Sequence, residues 1–349
     1  MRTLRVVCSL LVCASAQTTV TVPNVPPSNV DRPWPGGIGR YQQWYSALSL
    51  QAGLLEPMRI EKAEFFAGSS LSSMAVTIDC EVLMAHGNTS GVLGQFDSNY
   101  ASPPVVVMPR QNVQLSAGAP GAVVLTIPFT TKFTWDRQRP LLLEIRIYGN
   151  TNGSQPFAYN LRGANTAVGL TSRVYQGGSA GATTGLTAQG IGMITRFTAR
   201  PGVLLDFGAG CAGGGGFVPK NTVVQIPSPG ILWTHELSNA ASQQICLWTI
   251  GDSRTMWDTI PLPTDFSSLL GYPPSGCMLR TNPLSSGFYL TVGGGPGGGF
   301  ASFSWQLPGV TSYVGLSFYT QWFVLDPLSP NGVLTATQGV HCIVAPVGG

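Results

Sequence analysis

The sequence predicts an all-β protein: two consecutive antiparallel β-sandwich domains of jelly-roll type, placed after a signal peptide. Three observations carry that expectation. Gly 44 and Pro 27 among 349 residues supply turns at short intervals. Between the turns recur short runs of β-branched and aromatic residues, and no stretch sustains a 3.6-residue apolar period with helix caps. The length is more than twice that of a common domain, so two domains, each able to bury its own core, are the default.

Residues 1–16, MRTLRVVCSLLVCASA, combine Arg2 and Arg5 with a short apolar run and Ala14-Ser15-Ala16 at the cleavage position. They read as a secretory signal peptide, too short to span a bilayer. The mature chain is expected to start at Gln17 and to be extracellular or held at the cell surface, with no transmembrane segment. Residues 17–38 begin with the alternating strand TTVTV and continue as a Pro-rich arm. That strand can join its own sheet or the edge of a neighbour's.

The first sandwich is expected over residues 39–202. Its opening stretch, Gly39 to Ala47, gathers Tyr41, Trp44 and Tyr45, either as a stacking platform or as packing at a sandwich edge. Strands are expected at Ile60–Phe66, Ala75–Leu83, Val105–Met108, Ala122–Ile127, Leu141–Tyr148, Phe157–Leu161 and Met193–Ala199. In LLLEIRIYG, Leu143, Ile145 and Ile147 alternate with Glu144 and Arg146, the pattern of a half-solvated strand. Residues 163–192 are thin in large side chains and read as long surface loops.

The second sandwich is expected over residues 203–349 and opens with LLDFGAGCAGGGGFVP, Leu204 to Pro219, where a strand-like run breaks into six glycines around one cysteine. Phe303, Trp305 and Leu307 alternate with serines and a glutamine, and Leu316–Leu325 carries bulky residues on both faces, as a central strand does. Four cysteines, Cys211, Cys246, Cys277 and Cys342, fall in this half, and Cys80 in the other. In an exported chain the four favour two disulfides, for which three connectivities exist.

Charge excludes one function class. Without the signal segment the chain has 16 basic and 15 acidic residues, so it lacks the basic footprint of a nucleic-acid binder. Charged residues are only 9%, against roughly 25% in an average soluble domain, so Ser, Thr, Asn, Gln and backbone must solvate the surface.

Motifs with chemical meaning are weak. Gly177-Gly178-Ser179-Ala180-Gly181 fits G-x-S-x-G but lacks the strand and helix of a nucleophile elbow. The glycine triplets from Gly208 and Gly293 lack a βαβ context. Asp252, Asp258 and Asp265 are too widely spaced for an EF-hand loop, and His86, His235 and His341 are not at metal-ligand spacing. Glu61 with Glu64 and Asp79 with Glu81 are the carboxylate pairs a glycosidase would need, although solvated strand faces produce such pairs routinely. No metal, cofactor or catalytic residue is therefore expected.

The motifs RYQQWY (Arg40 to Tyr45), FGAGC (residues 207–211), PLP from Pro261, GCML from Gly276 and FYTQWFVLD ending at Asp326 resemble two-domain secreted proteins of planctomycete-type bacteria. The resemblance spans the mature chain and implies an exported β-rich protein in which the FGAGC and GCML cysteines pair. Cys246 and Cys342 are extra and suggest a second bridge. The expected pairs are thus Cys211 with Cys277 and Cys246 with Cys342.

The function expected first is a non-enzymatic structural or adhesive protein of the cell surface or matrix, self-assembling through Gln17–Val22. Its partners would be surface components or its own copies. The alternative is a carbohydrate-binding protein using Trp44, Trp257 and Tyr272, and the third class is a secreted hydrolase.

Overall fold

The computed structural model describes residues 17–347 except 31, 55, 56, 70–74, 152, 154, 158, 270 and 272–275. The expected signal peptide lies outside the described residues. The chain is predominantly β, every strand pairing among the described residues is antiparallel, and it falls into two compact units that meet at Arg200 and Pro201.

The first unit starts with β1 (Thr18–Val22), β2 (Pro27–Val30) and β3 (Gly39–Tyr45), then the single helical turn α1 (Ala47–Gln51), capped by the Ser46 hydroxyl accepting from Ser49 N. There follow β4 (Met58–Phe66), β5 (Val76–His86), β6 (Val105–Leu115), β7 (Val123–Trp135) and β8 (Leu141–Asn150). The unit closes with β9 (Leu161–Asn165), β10 (Thr171–Gly177), β11 (Leu186–Gln189), β12 (Ile191–Met193) and β13 (Thr195–Arg200). One sheet has the order β1-β13-β4-β7, a second β11-β10-β3-β8-β5-β6, and a small third β12-β9-β2. Inward residues of the first two share one core, with Ile60, Phe65, Ile127 and Phe197 from one sheet against Tyr45, Ile78, Leu143 and Ile145 from the other. Two-residue alternation along each strand puts these side chains on one face, and their burial drives the two sheets together.

The N-terminal strand joins its own unit's sheet: β1 pairs with β13 from Thr18↔Ala199 to Val22↔Thr195, β2 pairs with β9, and Trp34 is fully buried, edge-on to Phe65 at 5.3 Å. One expectation for this unit needs correction. Residues 163–192 are not all loop, because β10 pairs with β3 along its whole length, from Thr171↔Tyr45 to Gly177↔Gly39. The buried residues of β10 are Thr171, Ser172 and Val174, too small to mark a strand by hydrophobicity.

The second unit contains β14 (Val203–Phe207), β15 (Lys220–Val223), β16 (Leu232–Ala240), β17 (Ile245–Gly251), β18 (Met256–Trp257), β19 (Ile260–Pro261) and β20 (Thr264–Asp265). After the short helix α2 (Phe266–Leu269) come β21 (Met278–Leu279), β22 (Ser285–Leu290), β23 (Gly299–Gln306), β24 (Ser317–Leu325), β25 (Leu334–Ala336) and β26 (Gly339–Ile343). The main sheet runs β14-β26-β24-β17-β22 with β25 also on β24, so β24 is central; β15-β16-β23 form a second sheet. Between them lies a core of Trp233, Leu237, Trp248, Trp322 and Val340.

The glycine-rich stretch after β14 is a turn and a tether. Gly208 sits at φ 65°, a left-handed conformation that favours glycine, and the next carbonyl, Ala209 O, accepts from Arg280 Nη2 at 2.7 Å. Cys211 is bonded to Cys277, with Cα atoms 5.2 Å apart, which ties this loop to the entrance of β21. The expected second bridge is absent. Cys246 lies opposite Val324 and Cys342 opposite Phe318, on the two flanks of β24, so they are separated by about 20 Å along the strands. A disulfide needs Cα atoms within roughly 7 Å. Both thiols are free and buried in the aromatic core, and Cys80 is free and buried in the first unit.

These placements make a thiol-mapping prediction. On the native chain, Cys80, Cys246 and Cys342 should resist alkylation until unfolding, and Cys211 and Cys277 should react only after reduction. Cys211→Ser should destabilise the protein by about 4 kcal/mol in the chain-entropy model for a 66-residue separation, measured by denaturant unfolding. An unchanged unfolding midpoint would contradict the tether.

Candidate functional site

Of the aromatics the sequence singles out, two lie among the described residues, one in each unit. Trp44 is buried, and its indole N–H donates to Asn88 O at 2.7 Å, so it offers no stacking surface. Trp257 is half-buried and packs with Cys277, Leu262 and Phe323 beside the disulfide. Tyr272 lies outside the described residues. Ser179 is in an exposed turn after β10, where its hydroxyl accepts from Gly181 N.

The carboxylate pairs are spent on ion pairs. Glu61 meets Arg59 and Arg200, each at 3.0 Å, and Glu64 meets Arg196 at 2.7 Å and Lys62 at 3.1 Å. Asp79 meets Arg110 at 2.7 Å. Asp265 caps α2, accepting from Ser267 N, and Asp252 accepts from Asn282 Nδ2 at 2.7 Å.

The strongest polar site is one the sequence did not mark. Register places Gln42 opposite Glu144 and Arg40 opposite Arg146 on the outer face of the six-stranded sheet. Half-solvation was expected there. Instead, segments around residues 92–100 and 182 cover that face with Val92, Phe96, Tyr100 and Ala182, which pack on Trp44, Leu142 and Val174. Glu144 is 1% exposed and Arg40 5%. Arg40 grips Glu144 through two hydrogen bonds, Nε to Oε1 at 2.9 Å and Nη2 to Oε2 at 3.1 Å. Glu144 also accepts from Gln42 Nε2, Arg146 Nε and the Tyr100 hydroxyl. Arg40 reaches the covering segments as well, donating to Asp97 at 2.7 Å and Ala182 O at 3.0 Å, with its guanidinium over the Phe96 ring.

Burial pushes the Glu144 carboxyl up, but hydrogen bonds from Arg40 and Tyr100 and the charges of Arg40 and Arg146 outweigh it and hold it below its ordinary value. For Arg40, burial acts downward and Glu144 overrides it, so the guanidinium stays charged. A carboxylate held ionised by this many donors is a poor proton donor or acceptor near neutral pH. The cluster fastens the covering segments to the sheet.

The second unit holds three features. In its core, His235 lies between Trp233, with ring centroids 4.3 Å apart, and Trp248, at 5.1 Å. Both His235 nitrogens and the indole nitrogens of Trp233, Trp248 and Trp322 are buried with no hydrogen-bond partner among the described residues. Burial brings the His235 pKa down to about 3. At the surface, a groove of about 410 Å3 is lined by Gly214, Ser242, Gln243, Gln244, Gly295 and Asp326. Beside it the Phe217 ring lies against Gly297, where an added Cβ would stand 2.6 Å from the ring. Third, no Asp, Glu, Lys or Arg occurs between Arg280 and Asp326, and this charge-free stretch exposes Leu284, Phe288, Leu290, Val292 and Phe300.

No protein-family model matches the chain, and no curated protein matches it.

Two predictions follow from the buried groups. Glu144→Gln strands Arg40 in the interior with only the exposed Asp97 as counter-charge, and should destabilise the protein by roughly 3–5 kcal/mol. The paired change Arg40→Met with Glu144→Leu should cost much less; equal losses in denaturant titrations would show that the ion pair does not act as a unit. The second concerns pH. His235 is neutral when folded and protonates near 6.5 when unfolded, so below that pH the unfolded state binds the extra proton. Stability is full above pH 6.5 and falls as pH drops toward 3, by on the order of 3 kcal/mol at pH 4. His86 and His341, each brought down to about 4 chiefly by burial, act in the same direction. Unfolding midpoints of His235→Phe should fall less steeply between pH 6.5 and 4 than those of the parent.

Proposed function

We propose that this is an exported, non-enzymatic structural or adhesive protein, built as two jelly-roll-like sandwiches, that works by contact with cell-surface or matrix components or with its own copies. One observation carries this reading: the charge-free stretch between Arg280 and Asp326 presents Phe288, Leu290 and Val292 to solvent. Exposed apolar groups gathered on one element mark interaction surfaces more often than catalytic ones. The Cys211–Cys277 disulfide supports an oxidising compartment. The low charge suits a surface that must adhere and not steer a charged ligand.

The groove beside Phe217 favours a second reading, carbohydrate binding. Amide side chains of Gln243 and Gln244 offer hydrogen bonds to hydroxyls, and Phe217 offers a ring for a sugar face.

Fractionation of producing cells, with sedimentation of the purified chain on insoluble envelope material, tests the first reading. The expected result is retention in the envelope or matrix fraction, and retention that falls when Phe288 and Leu290 are replaced by lysine. A glycan array that binds the parent but not Phe217→Ala would favour the second reading. Turnover of a polysaccharide, ester or peptide by the purified chain would overturn both.

A further inference from the structure

Strand β22 is an edge among the described residues, with β17 on one side and no strand of theirs on the other. Edges are where sheets recruit further strands, and charged side chains are the usual guard against it. Among the described strands, the edges β14, β15, β6 and β7 carry such a guard on an exposed residue, Asp206, Lys220, Arg110 and Lys132, whereas the edges β1, β2, β11, β12 and β23 have none. β22, with the sequence SSGFYL, carries none. Its Tyr289 turns inward onto Trp322 and Phe303, while Phe288 is 76% exposed and Leu290 61%. Directly across the ladder stand Leu247, opposite Phe288, and Ile245, opposite Leu290 and itself exposed. An apolar row therefore crosses the outer face of the sheet and stops at the edge.

We infer that β22 docks on the same strand of a second copy of this chain, antiparallel about a twofold axis near Phe288, so that the two main sheets become one. The inference rests on the structural or adhesive reading and names its partner. The partner follows from the charge pattern. A twofold contact sets the residue on its axis against its own mate, so a charge there would meet a like charge; at β22 that position is the neutral, apolar Phe288, and no flanking residue of the strand is charged. With no ionic group between Arg280 and Asp326, the surface also gives no basis for selecting an acidic or basic partner. Pairing about Phe288 sets the two Phe288 rings side by side and each Leu290 beside Ser286 of the second copy. Antiparallel pairing supplies the backbone hydrogen bonds. β23, the edge of the second sheet, is also uncharged, and the Val292↔Phe300 bridge joins the two edges. Strand β1, the element expected to self-assemble, is likewise an uncharged edge with one neighbour, β13, but it exposes no large apolar side chain.

Sedimentation velocity of the full chain over a concentration series tests this, with Phe288→Lys, Phe288→Glu and Leu290→Lys as variants. Both sites are exposed, so thermal melts of all three variants should match the parent. The expected result is a concentration-dependent dimer, insensitive to added salt, that weakens at least tenfold in each variant. Mixing Phe288→Lys with Phe288→Glu should restore it, because opposite charges then meet at the axis. Val168→Lys, on an exposed loop of the first unit, should leave it unchanged. A monomeric parent, a dimer indifferent to the Phe288 changes, or mixing that fails to restore a lost dimer would overturn the inference. A monomer that still sediments with envelope material would overturn the self-docking alone; one that binds nothing would take the structural reading with it.

Discussion

An antiparallel sheet has two faces and two edges, and none of the four can be left to chance. A face must be buried or made polar, and an edge must be paired, covered or charged. The large core of the first unit forms because Phe65 and Phe197 on one sheet and Tyr45 and Leu143 on the other leave water together. Once they do, the six-stranded sheet has a second face to manage. The chain covers it with the segments carrying Phe96, Tyr100 and Ala182.

That cover forces the buried ion pair. Closing it over Arg40 and Glu144 takes both charges out of water, which is tolerable only when each finds its counter-charge and fills its remaining hydrogen-bonding positions. The geometry meets the condition with a two-bond grip and three further donors on Glu144. The Glu144 carboxylate is thereby fully engaged, and the same donors hold its carboxyl below the ordinary value.

The second unit solves the same problem with aromatic side chains. Its smaller sheet cannot cover the whole inner face of the larger, and Trp233, Trp248, Phe303 and Trp322 supply volume where strands are lacking. The disulfide and the glycine turn at Gly208 hold the opposite face, where Leu262, Leu279 and Phe323 form a separate small core. The edge at β22 is left with two exposed apolar side chains and no charge.

Strand content was legible in the sequence because alternation and turn residues are local. Leu141–Tyr148 could be read from its two-residue period, and the central position of Leu316–Leu325 from its bulky residues on both faces. The sequence could not determine what lies over a strand's outer face, because that depends on residues dozens of positions away. Glu144 and Arg146 alternate like a solvated strand, and only the return of Tyr100 and Ala182 across them made Glu144 interior. Trp44 was moved from a possible platform to a packing residue by the same cover. Cys211 and Cys277 pair as expected, but the second pair failed for a related reason: Cys246 and Cys342 are both in strands of one sheet, and register sets them at opposite ends of the strand between them. Local pattern determines which way a side chain points, and tertiary structure decides what it meets there.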